Sequence, residues 1–380
     1  MNAPKLQPPT LELSGIDGAN PLGFLAALGT LACCHAAGGV RTQLAWVRKP
    51  TWTPVLHDPP DADPATLVET LLPHLAGRII PADAEERRKQ LQKSMEAAQT
   101  AIKKKQGEIK GRGLSRAERE EAERAELVPL YQQAQQKRRQ WLLALKDAVP
   151  RDELVLGKGL DCEPDMFRSI ALEFRAQAAH SARETLDFLA AFGSDGCCEK
   201  KSQDRIEATP FYFIRGSGQQ YFLDTARQLI SNCNAEHLRD TLFAPWKYAD
   251  EGLSMRWDPI EDRQYALLAE DPGKVRTQWM ANLLAYRGLV FFPTAPTQRG
   301  LVATAWSGSG DELVFTWPLW THPLPPDTIR SVLLLRELAE PAPDHDALRA
   351  RGIVAAYRSR RIKVGSGANF KLNFSPSRAV

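Results

Sequence analysis

The stretch Lys103-Lys-Lys-Gln-Gly-Glu-Ile-Lys-Gly-Arg-Gly-Leu-Ser-Arg-Ala-Glu118 joins two segments with a shared pattern. Upstream, Leu91, Met95, Ala98, Ile102 and Ile109 recur at near-helical spacing in a charged, Gln-rich background. Downstream, Leu127, Leu130, Tyr131, Ala134, Trp141, Leu142 and Leu145 continue an apolar stripe. Residues three or four apart share one face of a helix, so each segment reads as a helix with one face to bury. Between them, Gly107, Gly111 and Gly113 break the first helix, and Ser115 with Glu118 has the spacing of a capping box that starts the second. The expected unit is a long antiparallel helical hairpin over residues 83–151, inserted in a larger domain, with its tip at Lys103 to Arg116.

Outward from the hairpin the pattern is mixed. Residues 1–82 read as the N-terminal part of a body that resumes over 152–348, and 349–380 as a basic C-terminal segment. Asn20 can cap a helix and Pro21 suits its first position, while Leu22, Phe24, Leu25, Leu28, Leu31 and Ala32 make that helix apolar nearly all round, hence buried. Leu11 and Leu13 precede it in a short strand, and Trp46, Trp52, Val55 and Leu56 follow it in a hairpin. Further helices are expected over 166–192, 221–232, 235–243, 275–289 and 327–338. Phe211-Tyr-Phe-Ile-Arg215 reads as a buried strand, with late strands over 301–306 and 312–317. No steady βαβ rhythm emerges, which predicts an α+β fold of mixed helices and antiparallel strands.

The chain has 380 residues and a formal charge of +3. Lys and Arg are not spread evenly. Residues 83–151 carry 17 Lys+Arg against 11 Asp+Glu, and 349–380 carry 8 against none, so the remainder is an acidic body at −11. The N-terminus lacks the basic and apolar regions of a secretory signal, and no apolar run reaches the roughly 18 residues of a membrane span. The expected location is the cytoplasm, with no membrane partner. Six cysteines without a C-x-x-C pair argue against zinc ribbons and a secreted disulfide framework.

Catalytic signatures are missing: no Walker A loop, nucleophile elbow or H-E-x-x-H occurs, and seven histidines are scattered without metal spacing. No cofactor and no metal is expected. His57-Asp58 is a two-residue nuclease hint followed by the loop residues Pro59-Pro60. Asp258, Glu261 and Asp262 admit two readings, a carboxylate cluster around a divalent ion or a helix start capped by Asp258. Gly196, Gly216 and Gly218 read as turn formers.

The basic segments carry more information. Lys103, Lys104, Lys105, Lys110 and Arg112 near the hairpin tip are either a solvated helix face or a finger that lays cations along phosphates. Arg358, Arg360, Arg361, Lys363 and Lys371 alternate with Tyr357, Phe370 and Phe374, with Gly365 and Gly367 between. Cations beside aromatic faces suit single strands or RNA, and the alternative is a basic tail finishing a sheet against the acidic body.

The segments Leu13-Ser-Gly-Ile-Asp-Gly-Ala-Asn-Pro-Leu-Gly-Phe-Leu-Ala-Ala-Leu-Gly, Met255-Arg-Trp-Asp-Pro-Ile-Glu-Asp-Arg-Gln-Tyr-Ala-Leu, Tyr286-Arg-Gly-Leu-Val-Phe-Phe-Pro and Phe315-Thr-Trp-Pro-Leu-Trp resemble proteins of type I-G (formerly I-U) CRISPR loci. Those proteins are similar to the large subunit of the type I surveillance complex, Cascade. The resemblance covers roughly residues 11–39 and 250–375 and leaves the hairpin outside. It implies a non-enzymatic antiviral role: contacting guide RNA and target DNA among other subunits of the complex, aiding recognition of the flanking motif, and recruiting the helicase-nuclease. A protein-interaction accessory of that helicase-nuclease, without direct DNA contact, is the alternative.

Overall fold

Gly29 and Gly288 set the closest approach in the body. A Cβ on Gly29 would lie 1.7 Å from the Leu284 carbonyl oxygen, and one on Gly288 would lie 2.3 Å from that of Leu25. The absence of side chains there lets helix Pro21–Ala36 lie directly on helix Trp279–Gly288. As expected from its apolar circumference, the first of these helices is buried along nearly its whole length, and the Asn20 side chain accepts hydrogen bonds from the backbone N–H groups of Leu22 and Gly23 at its start.

The computed structural model describes residues 8–177, 180–199, 202–215, 220–261, 275–364 and 371–380. Gly216, Gly218, Asp262, Gly365, Gly367 and Phe370 lie outside the described residues. The architecture is α+β with antiparallel strands.

A three-stranded sheet places Trp52–His57 between Thr10–Glu12 and Gln43–Arg48. In a five-stranded sheet, Val314–Trp320 pairs with the long strand Ile353–Val364, which also receives Lys371–Phe374 and Arg378–Ala379, while Trp306–Ser307 forms one edge. Phe24 joins the buried helix to both sheets: its ring centroid lies 5.7 Å from Trp46, 6.1 Å from Trp317 and 6.4 Å from Trp320. Two of these buried indoles are satisfied, with Trp317 Nε1 donating to Gly18 O at 2.8 Å and Trp320 Nε1 to Leu44 O at 2.7 Å.

The structure departs from the sequence expectations at several points. The segment expected as a strand over Phe211–Arg215 is not one, although Phe211 to Ile214 are buried; Tyr212 N–H donates to Thr209 O and Phe213 N–H to Phe211 O, so local turns take the hydrogen bonds. Its apolar run serves ring packing instead, with Phe211 between 5.0 and 6.0 Å from Trp257, Phe292, Trp306 and Phe315. The helix expected from Val275 starts at Trp279, after the short strand Arg276–Thr277. An antiparallel pair, Gly193–Glu199 with Ser202–Ala208, has no counterpart in the sequence reading.

The chain divides into two compact units, Arg78–Gly157 and the remainder. The first is wider than the 83–151 marked by charge, because Arg78 fastens its base: Nε donates to Val149 O at 2.8 Å, Nη2 to Lys146 O at 2.6 Å, and Nη1 to Asp152 Oδ1 at 2.7 Å. Helices Ala82–Gly111 and Arg116–Leu145 form its arms. The capping box is present, with Ser115 and Glu118 each accepting from the other's backbone N–H. Gly107 does not break the first helix, which runs through it to Gly111; the turn is made at Gly113, whose φ of +62° is the left-handed conformation glycine tolerates.

Candidate nucleic-acid interface

The two arms bury a narrow seam, Met95, Ile102 and Ile109 on the first and Leu127, Trp141 and Leu145 on the second. The predicted cations are arranged around that seam in two groups. Lys105 pairs with Glu108 at 2.9 Å and Glu126 at 3.4 Å, and hydrogen bonds to these two carboxylates raise its pKa. Arg112 donates to both oxygens of Glu126, at 2.5 and 2.9 Å. These two cations close the tip of the hairpin.

Lys103, Lys104 and Lys110 differ. All three are exposed and, among the described residues, have no carboxylate within ion-pairing distance. Lys93, Arg124 and Arg139 on the same unit share that condition. The tip carboxylates are already taken: Glu108 and Glu126 as above, Glu120 by Arg116 at 3.1 Å, Glu123 by Arg119 at 3.0 Å, and Glu118 by the cap. Glu121 remains exposed without a pair among the described residues. The positive excess of this unit is therefore carried by side chains free to meet an anion.

The C-terminal segment behaves differently from its sequence reading. Arg358 is 6 % exposed, and its guanidinium donates to Thr316 Oγ1 at 3.0 Å, Pro341 O at 2.9 Å, Leu338 O at 3.1 Å and Glu340 O at 2.7 Å. It is an internal tie and not a phosphate contact. Tyr357 stacks on Trp317 at 6.1 Å and its hydroxyl accepts from Trp52 Nε1 at 3.0 Å, while Phe374 is fully buried against Phe213 at 4.9 Å. Of the aromatic residues expected to stack on bases, Phe374 is a core residue and Tyr357 is half-buried and held against Trp317 and Trp52.

The other four cations singled out in that segment stay near its surface. Arg360 is exposed and has no ion pair among the described residues. Lys363 pairs with Asp311 at 2.6 Å. Arg361 is half-buried and donates to Gly310 O at 2.9 Å; burial, and then the neighbouring Arg215 guanidinium, pull its pKa down to about 10. Lys371, opposite Val364, is likewise shifted down, first by burial and then by Arg256, with Glu261 opposing. Holding like charges together raises the affinity of such a surface for anions.

The acidic cluster is a buried polar network. Asp258 accepts from Asn20 Nδ2 at 3.1 Å, Tyr248 Oη at 2.9 Å and the Ile260 N–H at 3.1 Å, the last being the expected capping contact. Glu261 is fully buried and hydrogen-bonded to Ser254, and burial pushes its carboxyl up to about 8. Among the described residues no group of three or more His, Cys, Asp or Glu is placed to hold a metal ion. Asp58 of the His57-Asp58 pair binds Arg41 at 2.9 Å. All six cysteines are free thiols, and no helix among the described residues is long and apolar enough to cross a membrane.

Comparisons with protein families, curated proteins and solved structures give no match.

Proposed function

We propose that this chain is a non-catalytic nucleic-acid-binding subunit that grips the phosphate backbone with its helical hairpin, in keeping with its resemblance to type I-G CRISPR proteins. The observation that carries this reading is the set of unpaired cations Lys103, Lys104 and Lys110 on a unit whose carboxylates are mostly engaged in internal pairs. Such cations displace condensed counterions from a nucleic acid, which yields salt-dependent affinity without any base reading. Arg360, Arg361 and Lys371 add a second basic surface at the end of the sheet. Guide RNA and target DNA are the ligands this reading names, with the remaining surveillance-complex subunits and the helicase-nuclease as protein partners and help in reading the flanking motif as its contribution.

The test is fluorescence anisotropy of the full chain with a labelled RNA and a labelled DNA duplex at several salt concentrations. Binding that weakens with salt supports the reading, and absence of binding to both contradicts it. A second reading is favoured by one feature. Near the base of the hairpin, Leu91, Leu143 and Ala144 line a groove together with Arg87, Gln90, Gln140 and Asp147, and Leu143 is 66 % exposed in it. A protein-docking arm uses such a surface. Co-elution with the helicase-nuclease and no retention on nucleic acid would favour that role.

A further inference from the structure

Tyr131 belongs by spacing to the apolar stripe of the second hairpin helix, yet it is 48 % exposed. It stands over a groove of about 400 Å³ between the two arms, lined by Gln106 and Lys110 on one side and Arg124, Val128 and Tyr131 on the other, with Leu127 buried among them. Gln106 Nε2 donates to the Tyr131 hydroxyl at 2.8 Å, which tethers the ring across the groove. Val128 is 44 % exposed beside it. The lining carboxylate, Glu123, is occupied by Arg119 at 3.0 Å, whereas Lys110 and Arg124 have no ion pair among the described residues. Lys103 lies seven residues from Lys110, two turns along the same helix face, and extends the cation row.

We infer that this groove is a single-stranded nucleic-acid site, in which Tyr131 stacks on an unpaired base while Lys110 and Arg124 hold the adjoining phosphates. The inference rests on the nucleic-acid reading above and adds the ligand's form. A partner helix would be matched by a continuous apolar stripe; here unpaired cations flank one tethered aromatic ring, the composition that suits a strand whose charges and base faces alternate. A paired duplex keeps its bases stacked on each other and offers no free face to the ring.

The experiment measures binding of the full chain to a labelled oligothymidylate and to an abasic phosphodiester strand of equal length and charge, for wild type, Tyr131→Ala and Tyr131→Phe. The ring sits on the surface, and circular dichroism checks that each variant keeps its helical content. Wild type and Tyr131→Phe are expected to bind the base-bearing strand roughly tenfold tighter than the abasic one, and Tyr131→Ala to bind both alike. Equal, salt-dependent binding of the two strands by wild type overturns the stacking site and leaves the backbone reading standing. A preference that survives in Tyr131→Ala also overturns it. Binding to neither strand overturns the stacking site together with the backbone reading and gives the groove to a protein partner.

Discussion

Arg358 and Thr316 face each other across two neighbouring antiparallel strands, and the guanidinium Nε donates to the threonine Oγ1 at 3.0 Å. The rest of the fork is spent on the carbonyls of Leu338, Glu340 and Pro341, which come from the segment that covers this end of the sheet. One residue of an apparent phosphate-binding run thus stitches a loop to a strand.

Truncation of that side chain leaves several inward carbonyls without donors. Hydrogen bonds to charged groups contribute more than neutral ones, so Arg358→Ala is expected to lower stability by about 3 kcal/mol, read as an earlier thermal or urea midpoint. Arg358→Lys cannot reproduce the planar fork and should rescue little. The salt dependence of nucleic-acid binding should be unchanged in both variants.

Glu261 sets a pH trend. Its folded pKa of about 8 lies above the ordinary 4.5 because burial disfavours the anion. Between those values the folded state keeps a proton that the unfolded state releases, so stability falls as pH rises from about 4.5 to 8, by at most ~1.4 kcal/mol per unit. Asp258, also shifted up by burial, contributes in the same direction. Glu261→Gln should flatten the fall in thermal midpoint across pH 5–8; an identical pH profile in the variant would refute the assignment of this trend to Glu261.

Two glycine substitutions should have opposite signs. Gly29→Ala drives a methyl into the Leu284 carbonyl and is expected to cost about 3 kcal/mol or more, since the obstacle is backbone. Gly107→Ala has nothing within 4 Å and sits inside a helix, so a gain of up to ~1 kcal/mol in the hairpin is expected. Thermal denaturation of the two variants checks the pair.

Much of the fold was legible wherever one rule acted alone. The Asn20-Pro21 start, the Ser115–Glu118 cap and the spacing of Met95, Ile102 and Ile109 are local signals, and each appears in the structure. In Phe211 to Ile214 the apolar run reports burial and not strand pairing. The candidate interface was legible as charge only. Sequence shows that Lys105 and Arg112 are cationic, but their carboxylate Glu126 comes from the opposite arm, more than ten residues away. Arg358 and Tyr357 looked like a nucleic-acid pair for a similar reason: Thr316, Trp317 and Trp52, which engage them, are distant in the chain. Exposure of Tyr131 could have been suspected from its neighbours Gln132 and Gln133 and from Pro129, which weaken the apolar stripe at that point.

The most direct test compares the slope of log K against log salt for RNA binding by wild type, a Lys103/Lys104/Lys110→Gln variant and a Lys105/Arg112→Gln control. Each phosphate contact contributes about 0.7 to 0.9 to that slope. Unpaired cations are expected to account for it, so the first variant should lose roughly two units and the control, whose charges are held by Glu108 and Glu126, much less. An unchanged slope in the triple variant would contradict the assignment of the hairpin as the phosphate-gripping surface.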